Sequence, residues 1–256
     1  MNEKRPLILV TNDDGYSSKG ISELVKVAQM YGDVVVVAPD SVQSGKSNAI
    51  TVESFVRLNL RVSKPGLTIY SVTGTPVDCV KMALNQILER KPDLLLSGIN
   101  HGTNSSVSIV YSGTLGAAIE GALNGIPSVG VSLCSYDADA DFSVAAKCAG
   151  QVARKMLQAG NAGGICLNVN IPYVPESEFK GMRICRQAKG IWKEHFVVGE
   201  DPHERPYYWL TGGFVNYEPD SPDTDECALS TGYASIVPVN LDFTDYGQIE
   251  KISYLI

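Results

Sequence analysis

The chain has 256 residues, 44% of them hydrophobic, enough for one large α/β domain or a domain with an appendage. Its formal charge of −7 argues against a nucleic-acid polymer as partner, since a phosphate backbone is held by excess Lys and Arg, but leaves a mononucleotide open. No apolar run approaches the ~20 residues of a membrane span, and the opening Met1-Asn2-Glu3-Lys4-Arg5-Pro6 precedes a run too short for a signal peptide, so no membrane association is expected. The six cysteines (79, 134, 148, 166, 185 and 227) form no C-x-x-C pair and mostly have apolar neighbours, which fits buried, reduced thiols in a cytoplasmic protein. The three histidines form no H-E-x-x-H pattern, which weakens a zinc-hydrolase reading.

Along the chain, an apolar run at 7–10 reads as a buried parallel strand and 19–30 as a helix. A strand at 34–38 precedes a polar loop at 39–49, and the β-branched, alternating stretch 51–62 predicts extended structure, followed by a strand at 69–72. A helix over 75–88 has a defined start: Thr75 suits the N-cap, Pro76 the first helical position, and Asp78 caps from the third. Strands at 93–96, 128–133 and 165–169 alternate with helices at 112–123 and 142–157. This β-α alternation predicts a doubly wound, mostly parallel sheet. After Pro172 prolines, glycines and aromatics become frequent, as in Pro206-Tyr207-Tyr208-Trp209, and helical periodicity fades. Residues 1–172 are therefore read as the catalytic core and 173–256 as an irregular, β-rich extension whose aromatics serve either a subunit interface or the same core.

Four polar clusters carry the chemistry. The first, Asn12-Asp13-Asp14-Gly15, ends the first strand, where open α/β sheets bind ligands. It is either an ordinary Asp-Gly turn or a cation site, since a hard divalent ion offsets the repulsion of adjacent carboxylates. The second, 39–49, contains Gly45-Lys46-Ser47 but is no P-loop, because Asp40 stands where that motif needs its first glycine. Its Ser44, Ser47 and Lys46 suit a phosphate or a cation, or simply solvent.

The third cluster, Ser97-Gly98-Ile99-Asn100-His101-Gly102-Thr103-Asn104, is read as following the strand at 93–96. Asn100 and Asn104 offer amide oxygens and donors, and His101 is a general acid, a substrate contact or a solvated loop residue. The fourth, Tyr111-Ser112-Gly113-Thr114, opens a helix whose free N–H groups form an anion site, with Ser112 or Thr114 also suited to capping. In a doubly wound sheet these positions converge on one edge, and their donors suit one divalent, oxygen-bound metal beside one phosphate.

With Gln43-Ser44-Gly45 and Gly74-Thr75-Pro76-Val77-Asp78-Cys79, these stretches occur in the order seen in the SurE family of survival-protein 5′-nucleotidases, which the first half of the chain resembles. The resemblance implies a Rossmann-like fold and a metal-dependent phosphomonoesterase acting on nucleoside 5′-monophosphates, with 3′-monophosphates and short polyphosphate as further candidate substrates. It implies one divalent cation per subunit, with Asp13, Asp14, Ser44 and Asn100 as ligands, and Asn104, Ser112, Gly113 and Thr114 around the phosphate. It also implies a homodimer or homotetramer exchanging C-terminal segments, and assigns no role to Lys46 or His101.

The expected chemistry is attack by a metal-polarised water, with Asp13 or Asp14 accepting its proton and with Asn104 and the Ser112–Thr114 turn holding phosphate oxygens. All-oxygen ligation favours Mg²⁺ or Mn²⁺. An aspartyl-phosphate route is disfavoured because Asn12, two residues before Asp14, cannot be a nucleophile. A noncatalytic nucleotide-binding module is the alternative from a different class; the paired aspartates weigh against it, since without a metal they repel phosphate.

Overall fold

β1 (Leu7–Thr11) lies inside the sheet because its residues are apolar toward both faces and need cover on each. The computed structural model describes residues 5–160 and 163–255; Met1 to Lys4, part of the segment read as no signal peptide, lie outside the described residues. β1 pairs in parallel with β2 (Asp33–Pro39) on one side and β5 (Leu94–His101) on the other. β4 (Leu67–Val72) and the antiparallel edge strand β3 (Leu58–Lys64) continue beyond β2. β6 (Ser128–Cys134) and β7 (Cys166–Pro172) continue beyond β5. The chain thus leaves β1 toward one edge and later returns to its other side. The point where strand order reverses lies between β1 and β5, and there open α/β sheets bind their ligands.

Two helix layers cover the sheet. α1 (Lys19–Gln29) and α4 (Ser143–Ala159) bury Ile21, Leu24 and Ala149 against Ile8, Val10 and Leu96. α2 (Pro76–Met82) and α3 (Gly113–Leu123) cover the opposite face, where Val80 and Ala117 meet Leu9, Val37 and Leu95. The start predicted for α2 is present: the Asp78 N–H donates to the Thr75 hydroxyl at 3.1 Å, and the Thr75 N–H to the Asp78 carboxylate at 2.9 Å. α2 ends sooner than predicted, passing into a π-helical turn, Ala83–Ile87. Of the extended stretch at 51–62, only the part from Leu58 onward pairs as a strand. The segment before it is tied down instead by the Thr51 hydroxyl donating to Asp78 at 2.6 Å and the Arg57 N–H to Thr73 at 2.8 Å. All six cysteines are unpaired thiols.

Residues after Pro172 do not all stand apart from the core. β8 (Met182–Ile184) and β11 (Ala234–Val239) join the main sheet, with β11 antiparallel to β7 and parallel to β8, so that the described residues place nine strands in it. Pro238 is tolerated in β11 because the pairing with β8 ends at Ile236, leaving one side of the strand unpaired there. β9 (Gly190–Glu200) and β10 (Pro206–Asn216) form a separate two-stranded hairpin. Helical structure persists in α5 (Asp225–Ser230) and a final turn, α6 (Tyr246–Ile249), where the sequence periodicity was too short to announce it.

Candidate active site

At the carboxyl ends of β1 and β5 a cavity of about 450 Å³ opens, within the range of about 300–1,000 Å³ typical of ligand pockets. Asp13, Asp14, Ser44, Asn100, Asn104 and Ser112 all line it, although they come from four separate stretches of chain. Gly113 and Thr114 are buried and do not line it, and neither does Lys46.

The third polar cluster is a loop only from Gly102 to Asn104. Ser97 to His101 continue β5, and the register against β6 gains one residue between Ser97 and Asn100. This bulge re-aims the end of the strand toward the cavity. Gly98 makes the bulge feasible: its φ is +131°, and a Cβ there would lie 2.3 Å from the Val131 carbonyl oxygen. Polar residues and glycines read as a loop in sequence, whereas pairing with β1 holds Ser97 and pairing with β6 holds Asn100 and His101 as strand.

Each carboxylate has a defined setting. Asp13 is buried, and this burial pushes its carboxyl from the usual 3.8 up to about 6, aided by the neighbouring Asp14. The Thr114 hydroxyl donates to Asp13 Oδ1 at 2.5 Å and pulls the other way, as does the Thr114 backbone N–H. The first turn of α3 is therefore turned on Asp13, and the Thr114 hydroxyl expected to meet phosphate is already engaged. Gly113 permits this approach, since a Cβ would lie 2.9 Å from that of Asp13. Asp14 is also raised by burial, while the His101 N–H, 3.2 Å from Oδ2, lowers it.

Neutral donors are held by their other atoms. The Asn100 amide nitrogen donates to the Gly102 carbonyl at 2.8 Å, which turns Oδ1 into the atom left for a cation. The Asn104 Nδ2 donates one hydrogen to Ser132 at 2.8 Å and keeps a second. Its backbone is clamped by two asparagines of β7: Asn104 N–H donates to Asn170 Oδ1 at 2.7 Å, and Asn168 Nδ2 donates to the Asn104 carbonyl at 2.8 Å. Ser112 caps α3, accepting from Leu115 N–H at 3.1 Å. The exposed Ser44 sits on the loop fastened by the Gln43 N–H to the Asp13 carbonyl at 2.7 Å. The His101 ring lies 3.2 Å from the Asp137 carbonyl and packs edge-on against Phe142, an anchored rather than a freely solvated histidine.

The cavity wall also contains Tyr111 of the fourth cluster, and Ser108, Tyr136, Trp192 and Glu194, which the motifs did not mark. The two asparagines of β7 did leave a signal: identical amides two apart in an otherwise apolar strand point to the same face and require partners. Tyr136 and Trp192 left none, since isolated aromatics after a strand or in a hairpin have many uses.

The cavity carries the carboxylates of Asp13, Asp14 and Glu194 and no Lys or Arg among its described lining residues. Nor do three His, Cys, Asp or Glu side chains cluster as a metal site among the described residues. Two carboxylates completed by hydroxyl and amide oxygens fit a hard cation such as Mg²⁺ or Mn²⁺, and such an ion relieves the burial of Asp13.

A family model described as survival protein SurE matches residues 8–194. A 5′-nucleotidase SurE from Flavobacterium psychrophilum is 50% identical over 250 residues, 97% of each chain. Its namesake from Bacteroides thetaiotaomicron is 47% identical, covering 99% of this chain and 97% of the relative. The crystal structure of the SurE protein from Aquifex aeolicus superposes with a TM-score of 0.82 at 38% identity, over 98% of this chain and 99% of that one. With motifs, strand order and nearly full-length similarity in agreement, this chain belongs to the SurE family.

Proposed function

We propose that this protein is a metal-dependent 5′-nucleotidase that hydrolyses nucleoside 5′-monophosphates to nucleoside and phosphate. The observation that carries the reading is a polar cavity at the strand-order reversal that holds three carboxylates and, among its described lining residues, no Lys or Arg. A phosphate dianion enters such a cavity only with a compensating cation. The names of the curated relatives support the same reaction, and nothing favours a noncatalytic nucleotide-binding module.

In this reading Asp13, Asp14, Ser44 and Asn100 hold one divalent ion per subunit, Mg²⁺ or Mn²⁺. When bound, the ion neutralises phosphate charge and makes water a better nucleophile at neutral pH. Asp14, less buried than Asp13 and facing the cavity, accepts the proton of the attacking water. Asp13, held by Thr114, keeps its oxygens oriented. The second hydrogen of Asn104 Nδ2 and the hydroxyl hydrogen of Ser112, whose oxygen caps α3, meet phosphate oxygens as charge develops. The reaction needs little else from the protein, because phosphoryl transfer rests on positioning and electrostatics.

The assembly is proposed as a homodimer or homotetramer formed through the C-terminal region, supported by exposed Phe196, Tyr208 and Trp209 on the β9–β10 hairpin. No described helix is long and apolar enough to cross a membrane, and a cytoplasmic location is proposed on the reduced thiols.

Hydrolysis of a nucleoside 5′-monophosphate is expected to stop on chelation and to return with Mg²⁺ or Mn²⁺. Asp14→Asn, which removes charge at nearly constant volume, is expected to lower kcat by at least ~100-fold with an unchanged circular dichroism spectrum. Full activity in chelated protein, or in Asp14→Asn, overturns the assignment.

A further inference from the structure

The hydrolysis of a phosphate ester accounts for the carboxylates, amides and helix start of the cavity, but not for its aromatic wall. Tyr136 lies two residues after β6 and is 77% exposed, yet its ring is backed by the chain: a Cβ on Gly102 would lie 2.4 Å from its Cε1. Gly102 in turn follows Asn100 and His101 at the end of β5, so the ring stands beside the proposed metal site. Trp192 enters from β9, a different element. Its Nε1–H donates to the Ser108 hydroxyl at 3.2 Å, and its ring meets Phe214 edge-on with centroids 6.0 Å apart. The polar atom of the indole is thus satisfied and its orientation braced, while the side chain still lines the cavity.

We propose that Tyr136 and Trp192 form the subsite for the base of the nucleotide, an aromatic platform that binds by stacking. The proposal rests on the phosphatase reading above and deepens it: the metal end receives the phosphate, and the aromatic wall receives the nucleobase. Stacking is available to every base, because each has a π-face. The subsite therefore separates nucleotides from base-free sugar phosphates more strongly than it separates one base from another.

The test compares adenosine 5′-monophosphate with ribose 5-phosphate, which lacks only the base, at saturating Mg²⁺. For Tyr136→Ala and Trp192→Ala the advantage of the nucleotide in kcat/KM is expected to fall about tenfold, chiefly through KM. Tyr136→Phe and Trp192→Phe keep a ring and are expected to restore most of it. Equal losses on both substrates, or no change for the nucleotide, overturn the proposal. A second readout needs no turnover. The chain has two tryptophans, so in a Trp209→Phe background Trp192 is the only indole. Its fluorescence is expected to be quenched by adenosine, and absence of quenching counts against the platform. Quenching without hydrolysis of either ester supports the base subsite while overturning the phosphatase reading.

Discussion

Asp13 holds a carboxyl almost out of water beside a second one, and this conflict predicts a pH dependence. Well below its ordinary 3.8 the side chain is neutral in both folded and unfolded chains and imposes no cost. As pH rises from 3.8 toward about 6 the unfolded chain ionises first, so the metal-free fold loses stability across that window, by roughly 3 kcal/mol. Denaturant midpoints measured against pH are expected to show this loss in chelated protein, with Mg²⁺ offsetting it. Asp13→Asn removes the titrating group, and a metal-free profile that falls as steeply as before contradicts the account. Thr114 belongs to the same pair. Thr114→Val keeps the branched shape but deletes the donor to Asp13 Oδ1, and a hydrogen bond to a charged group is worth about 1.5–3 kcal/mol. Calorimetry without substrate is expected to show Mn²⁺ affinity about tenfold weaker, and unchanged affinity would return Thr114 to the phosphate side.

At the scale of elements, the site depends on how its loops are fastened. The 3₁₀ segment Ser106–Tyr111, which supplies Ser108 and Tyr111 to the cavity, is tied to α5. Asp225 accepts the Ser106 N–H at 2.8 Å through one oxygen and the Ala188 N–H at 2.8 Å through the other, joining this segment to the entry of β9. Next to it, Glu226 accepts from the Ser105 hydroxyl at 2.5 Å. Asp225→Ala strands two buried N–H groups, each costing about 1–3 kcal/mol, so urea unfolding is expected to show a loss of about 2–6 kcal/mol. A loss below 1 kcal/mol is the outcome that refutes this role for Asp225. The fastening was invisible in sequence because α5 is a short helix in a stretch without strong periodicity, and its partners Ser105 and Ser106 lie more than 100 residues earlier.

At the scale of the molecule, the β9–β10 hairpin has little support from the main sheet. A two-stranded sheet is marginal in water, and this one exposes Val198, Tyr208 and Trp209. A second copy of the chain is the proposed cover. Sedimentation is expected to give a dimer or larger at micromolar concentration, and Trp209→Glu to shift it toward monomer without loss of secondary structure. A full-length protein that sediments as a monomer refutes this.

The sequence by itself determined the strand–helix alternation, the capped start of α2 and the inventory of oxygen donors. These are local properties: hydrophobic periodicity and turn chemistry are written over a few residues. It also marked Asp13, Asp14, Ser44, Asn100, Asn104 and Ser112, which the fold brings to one cavity. Only the tertiary structure decided that Thr114 serves Asp13 across 101 residues, that Ser97 to His101 stay in a bulged strand, and that β11 returns to pair with β7. The aromatic wall of Tyr136 and Trp192 was decided in the same way. Each depends on which distant segment supplies a partner, and a buried donor, an open sheet edge or an uncovered ring takes its partner from the packed fold rather than from its neighbours in the chain.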